Sequence, residues 1–124
     1  MNVRFLCASN SRLCFTDEQS KSVHCCDLRG KELLTFKDKS IEIPQGITID
    51  TLGNVLVVGF SGSDAGSVTT AESSYNVVAI APDGSGNRVI LKRPGRPSGI
   101  DFDKKQKRLV LYDLDGTADL FDVA

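Results

Sequence analysis

Along most of this chain, hydrophobic and polar positions alternate with a period of two. The clearest stretch runs from Ile43 to Gly59, where Ile47 and Ile49 fall on one side and Thr48 and Asp50 on the other, the pattern of a half-buried strand. Asp50, Gly53 and Asn54 then supply turn chemistry: a side chain that can bond its own backbone, and residues that tolerate left-handed conformations. Val55 to Val58 is continuously apolar, which predicts a strand covered on both faces. Pro44 lacks an N–H and Gly46 adapts to a sharp entry, so the two mark the entrance rather than the middle of a ladder.

The same reading divides the rest of the chain. Strands are expected at Val3–Cys7, Leu13–Thr16, Val23–Leu28 and Leu33–Phe36, separated by turns at Ser9–Ser11, Asp17–Ser20 and Arg29–Lys31. A charged connection, Lys37–Ser40, leads into the Ile43–Gly59 hairpin. Ser61–Ser74 is Ser, Gly, Thr, Ala, Asp and Glu with a single valine, the composition of a surface loop. Further strands are expected from Tyr75 or Asn76 to Ala81 and at Val89–Leu91, with Asp83–Gly86 as the turn between them. Pro97–Asp103, Leu109–Tyr112 and Ala118–Val123 complete the set. No segment carries a helical stripe, so the predicted class is all-β.

A repeat governs this organisation. Pro97-Ser98-Gly99-Ile100-Asp101-Phe102-Asp103 restates Pro44-Gln45-Gly46-Ile47-Thr48-Ile49-Asp50, 53 residues later. Gly30 and Gly84 lie 54 apart, while the strand ends Ala81 and Asp122 lie 41 apart. Without about twelve residues of the Ser61–Ser74 loop, the longer period falls to roughly 41–42, close to the length of a four-stranded propeller blade. The strands therefore group as a blade over residues 1–40, a blade over 41–95 with an insertion at 61–74, and an incomplete blade over 96–124.

Composition narrows the partners. With 25% charged and 40% apolar residues, the chain can build a core. A formal net charge of −1 is not the basic balance of a domain built mainly to hold nucleic acid. No apolar run has the length of a membrane helix, and no apolar stretch follows a basic N-terminal start. Cys7, Cys14, Cys25 and Cys26 do not have zinc-site spacing, and adjacent Cys25 and Cys26 point to opposite faces of a strand. Four reduced thiols in a cytoplasmic protein are expected.

The P-x-G-I-x-[IF]-D pattern at Pro44 and Pro97, with the Asn76–Gly84 stretch N-V-V-A-I-A-P-D-G, resembles the NHL-repeat family of β-propellers. The resemblance is closest to the C-terminal part of tripartite-motif proteins, and is strongest over Pro44–Val58 and Asn76–Val123. It implies four-stranded antiparallel blades and a non-enzymatic role in recognising a protein partner or a ubiquitination substrate. Ligase activity would need a RING domain, which this sequence lacks. Some NHL propellers bind single-stranded RNA, which makes RNA the alternative partner. NHL propellers generally have six blades. A chain of fewer than three is expected to expose apolar blade faces, with Val3, Phe5 and Leu6 at one end and Leu120, Phe121 and Val123 at the other. Self-association through those faces follows, two copies supplying 22 strands against the 24 of a full ring.

The candidate interaction residues are basic. Arg93 and Arg96 lie in one connection, and Lys104, Lys105, Lys107 and Arg108 in a hairpin turn. Because connections alternate ends in an up-and-down blade, the two groups are expected on opposite faces. Asp50 and Asp103 recur at the same place in two units, which suits turn caps better than acid–base chemistry. His24 is the single histidine, with no G-x-S-x-G elbow to accompany it. Asp83–Asn87 is Gly-rich but opens no helix, so it is no nucleotide loop. No cofactor or metal is expected.

Overall fold

Among the described residues, the alternating pattern folds into eleven strands. The computed structural model describes residues 3–9, 11–61, 74–95, 97–114 and 116–122. β1 (Val3–Ser9), β2 (Arg12–Asp17), β3 (Ser22–Asp27) and β4 (Glu32–Phe36) pair in that order as one antiparallel sheet. β5 (Ile43–Ile49), β6 (Val55–Phe60), β7 (Ser74–Ile80) and β8 (Asn87–Pro94) form a second sheet. β9 (Pro97–Asp103), β10 (Arg108–Asp113) and β11 (Ala118–Asp122) form a third, one strand short of the others. The chain is a partial β-propeller of antiparallel blades, two complete and one incomplete. Most of the inserted segment 61–74, together with Arg96 and Val123, lies outside the described residues.

The connection between the first two blades contains one helical turn, Lys39–Ile41, that alternation does not predict. Asp38 caps it, its side chain accepting from Ser40 N at 2.9 Å and from Ser40 Oγ at 2.7 Å. Ile41 turns inward and is buried.

Face alternation places the cores. All six residues of β6 are buried. Val55 and Val57 pack toward the first blade, with Cys14, Val23, Cys25 and Leu34. Leu56 and Val58 pack toward the third, with Phe102, Leu109 and Leu111. The middle blade is thus covered on both faces, which is why its strands read as apolar runs. Gly46 lets the innermost strands β5 and β9 approach: a Cβ there would stand 3.0 Å from Ile100 Cγ2 and 3.3 Å from Ile100 N.

Among the described residues, the outer blades are covered on one side only. Leu6 (59% exposed) and Val3 are uncovered on the first blade, and Leu120 (59% exposed) on the third. Phe5 and Phe121, expected among the uncovered residues, instead pack against the two cores. Each points to the opposite face of its strand from Leu6 and Leu120, its sequence neighbours.

The cysteines differ from expectation. Cys14 and Cys25 stand directly opposite in the β2–β3 ladder, Cα atoms 4.1 Å apart, and are disulfide-bonded rather than reduced. Two cysteines separated by one hairpin are brought face to face by register, which spacing alone does not reveal. Cys7 and Cys26 are free thiols. Burial pushes the Cys7 thiol up to about 11, against the lowering influence of Arg12.

Candidate interaction surface

The hairpin turns are built on aspartates. Asp50, itself buried, accepts from Leu52 N at 2.9 Å and Asn54 N at 2.8 Å through Oδ1, and from Asn54 Nδ2 at 2.9 Å through Oδ2. Asp103 Oδ1 accepts from Lys105 N at 3.0 Å and Gln106 N at 3.3 Å. Asp27 and Asp83 cap their own turns in the same way. The recurrent carboxylates are structural caps, an arrangement in which short polar side chains replace missing backbone partners.

Strand alternation puts the turns after β1, β3, β5, β7 and β9 at one end of the blades. Arg12, which sequence reasoning passed over, joins them: Nη1 donates to Pro82 O at 2.7 Å and Nη2 to Gly53 O at 2.5 Å. Lys104 Nζ reaches Ser9 Oγ, linking the third blade's turn to the first blade. Lys105 and Lys107 are exposed, and Arg108 Nε donates to Asp122 Oδ1 at 3.2 Å. Arg93 lies at the opposite end. Its Nη2 stands 3.7 Å from Asp119 Oδ2, and its guanidinium 5.1 Å from the centre of the Phe121 ring. Arg93 therefore ties β8 to β11, and the two basic groups form no common surface. Arg96 lies outside the described residues.

A groove lies beside β11, where each of the four-stranded sheets carries its fourth strand. It has a volume of about 390 Å³ and is lined by Arg88, Ile90, Leu91, Leu109, Phe121 and Asp122 among others. Its floor is the side of β8 that faces the third blade, and Ile90 and Leu91 there are only half-buried. β11 pairs with β10 on one side, and its other edge is open among the described residues. Asp122 is engaged by Arg108, whereas Arg88 makes no hydrogen bond or ion pair to the described residues. The groove thus offers backbone donors and acceptors, an apolar floor and one unpaired cation. A third blade counted one strand short was the sequence signal for it.

His24 sits in a second polar cluster, on the uncovered face of the first blade. Ser22 Oγ lies 2.7 Å from His24 Nε2, and Glu32 Oε1 lies 3.2 Å from Nδ1. Phe15 stacks on the imidazole at 5.3 Å. Hydrogen bonds from Thr35 and His24 hold the Glu32 carboxyl below the usual range. The connectivity is that of a hydroxyl–imidazole–carboxylate chain. Ser22, however, is 2% exposed, and its hydroxyl also meets Ser20 Oγ at 2.5 Å. Ser20 in turn donates to Asp17 Oδ2 at 2.8 Å. A carbonyl has no approach to such a hydroxyl, so the chain orients the imidazole and presents no nucleophile. Among the described residues no three His, Cys, Asp or Glu side chains gather to hold a metal.

A β-propeller repeat family (SBBP) matches residues 32–64. No curated protein matches the chain. Solved structures agree in fold. The Neurospora crassa Pan2 WD40 domain superposes with a TM-score of 0.63 at 15% identity, over 97% of this chain and 32% of that one. A streptogramin B lyase gives 0.59 at 14% identity, over 98% and 40%. A chain of a nidogen/laminin complex gives 0.55 at 14% identity, over 99% and 48%. This chain spans less than half the length of each. The likeness is one of β-propeller architecture, a fold that serves binding proteins and enzymes alike.

Proposed function

We propose that this chain is a protein-interaction module without catalytic activity of its own. The finer reading is the partner- or substrate-recognition NHL region of a tripartite-motif ubiquitin-ligase-like protein; the Cys14–Cys25 disulfide removes the reduced-thiol argument for a cytoplasmic location. The groove between β8 and β11 is the observation that carries the interaction role. An extended segment of a partner protein adds to the free edge of β11, and main-chain hydrogen bonds provide affinity. Alternate apolar side chains enter over Ile90 and Leu91, and a carboxylate on the segment meets Arg88. The NHL and ligase assignment draws its support from the Pro44 and Pro97 motifs. Single-stranded RNA, the alternative partner, draws support from Lys105 and Lys107 alone.

The test uses a labelled synthetic copy of β4 with its flanks, Lys31–Lys37, because β4 is the outermost strand of a complete blade and carries Glu32. Fluorescence anisotropy should show saturable binding with a Kd below about 1 mM, or about −4.1 kcal/mol. Binding should be lost in Ile90→Glu and weakened in Arg88→Glu. No binding at that concentration, or binding that survives Ile90→Glu, would sink strand addition at this groove. A labelled oligouridylate run in parallel tests the alternative. Salt-sensitive binding lost in Lys105→Ala/Lys107→Ala would favour RNA.

A further inference from the structure

Cys7, Cys14 and Cys25 stand in one row across the first blade. Cys7 on β1 pairs with Cys14 on β2, and Cys14 with Cys25 on β3. Residues directly opposite in neighbouring strands point to the same face of a sheet, so the three side chains share a face. It is the face turned to the middle blade: Cys14 and Cys25 lie in the core that the two blades share, and Cys7 packs against it. Cys26 follows Cys25, points to the other face and stands opposite Leu13.

Bonding and access are divided within the row. The disulfide joins Cys14 and Cys25, both fully buried, so a dissolved reductant meets neither sulfur. Cys7 is a free thiol and only partly buried. The 4.1 Å Cα separation of Cys14 and Cys25 is that of a non-hydrogen-bonded pair. The Cys14 N–H turns the other way, toward β1, and donates to the Cys7 sulfur. Cys7 and Cys14 are therefore the wider kind of pair, with Cα atoms about 5.5 Å apart. That separation is ordinary for a disulfide, so Cys14 can bond to either neighbour. Thiol–disulfide exchange needs the attacking, central and leaving sulfurs close to one line, and a cross-strand row supplies it.

We infer that Cys7 is a relay thiol through which an external dithiol reduces the buried Cys14–Cys25 bond. The Cys7 thiolate attacks Cys14 Sγ. The Cys7–Cys14 bond forms, the Cys14–Cys25 bond breaks, and Cys25 leaves as a thiolate that takes up a proton in place of Cys7. This step moves no electrons into or out of the protein. The dithiol then attacks the Cys7 sulfur, and Cys14 leaves as a thiol. The second thiol of the reductant releases Cys7 and closes a cyclic disulfide. Two electrons and two protons have then passed from the dithiol to Cys14 and Cys25. Burial of Cys7, which raises its pKa from 9.0 to about 11, lowers its thiolate fraction about 100-fold. An oriented intramolecular partner has an effective concentration of about 10⁵ M or more, which outweighs that loss against any dissolved thiol.

The test follows reduction of the folded chain by dithiothreitol at mildly alkaline pH. Samples quenched in acid, then denatured and alkylated, report the disulfide by mass. Wild type and Cys26→Ser should be reduced at equal rates. Cys7→Ser and Cys7→Ala should be reduced at least about tenfold more slowly. Reduction of either Cys7 variant at the wild-type rate, with an unchanged urea midpoint, would mean that the bond opens by unfolding and would overturn the relay. Where a Cys7 substitution weakens the fold, Cys25→Ser decides. In that variant glutathione disulfide should join Cys7 to Cys14, through a glutathione on Cys7 that Cys14 displaces. Peptide mapping should find this bond, with Cys26 outside it. Absence of a Cys7–Cys14 bond, or a bond between Cys14 and Cys26 in its place, would also overturn the proposal.

Discussion

The glycines of the repeated P-x-G-I motif occupy matching places in neighbouring blades, yet they should respond in opposite ways to a methyl group. A Cβ on Gly46 would lie 3.0 Å from Ile100 Cγ2 and 3.3 Å from both Ile100 N and Val58 Cγ1. The side-chain atoms can yield, but the Ile100 amide belongs to β9. Relief requires β5 and β9 to separate by a few tenths of an ångström. Overpacking of this kind costs about 1–3 kcal/mol. Restricting the unfolded chain returns about 0.4–1 kcal/mol, so Gly46→Ala should destabilise by about 1–2 kcal/mol. A Cβ on Gly99 would meet only Tyr112 Cδ2, at 3.9 Å, so Gly99→Ala should stabilise by about 0.4–1 kcal/mol. Urea unfolding followed by far-UV circular dichroism gives the two free energies from midpoints at constant slope. Equal shifts of the same sign would refute the claim that inner-strand approach, and not the motif, sets the requirement for glycine.

Alkylation of the unreduced protein after denaturation should modify two cysteines, Cys7 and Cys26, and spare Cys14 and Cys25. Four modified cysteines by mass spectrometry would contradict the cross-strand disulfide. In the native protein, Cys7 should react near pH 8 about 100-fold more slowly than an ordinary thiol, the effect of a shift from 9.0 to about 11. The same raised value makes its contribution to stability complete below pH 9 and lost as pH rises through 11, which alkaline unfolding midpoints of a Cys7→Ala variant would register. Asp50→Ala should cost about 2 kcal/mol in thermal or urea unfolding, because it strips a buried cap of charge-assisted bonds. Asp103→Ala, in an exposed turn, should cost less than about 1 kcal/mol. Arg93→Met keeps the aliphatic stem but removes the Asp119 pair and the contact with Phe121. It should cost about 1 kcal/mol and speed amide exchange along β11.

Most of the fold could be read from local pattern because a strand records its burial in its own alternation. Val55–Val58 announced two covered faces, and Leu56 and Val57 do pack into different cores. The Asp50 and Asp103 caps were equally legible, since an Asx turn involves residues only two to four apart. The helical turn at Lys39–Ile41 was not legible, because three residues carry no period. Arg12 also went unread: its acceptors, Gly53 O and Pro82 O, lie 41 and 70 residues away.

The basic residues mark the boundary between the two kinds of information. Their charge, and their division between opposite ends of the blades, followed from sequence and strand parity. That Arg93 is held by Asp119 while Arg88 has no partner among the described residues depended on the lateral packing of β8 against β11, and no spacing encodes that. In the same way, the four cysteines were visible from the start, but the Cys14–Cys25 bond came from the register of one hairpin. Sequence by itself determined the strands, their turns and their repeat, because these arise from neighbours along the chain. Tertiary structure alone decided which faces are covered, which charges are paired and where the groove opens, because each depends on residues that only the stacking of blades brings together.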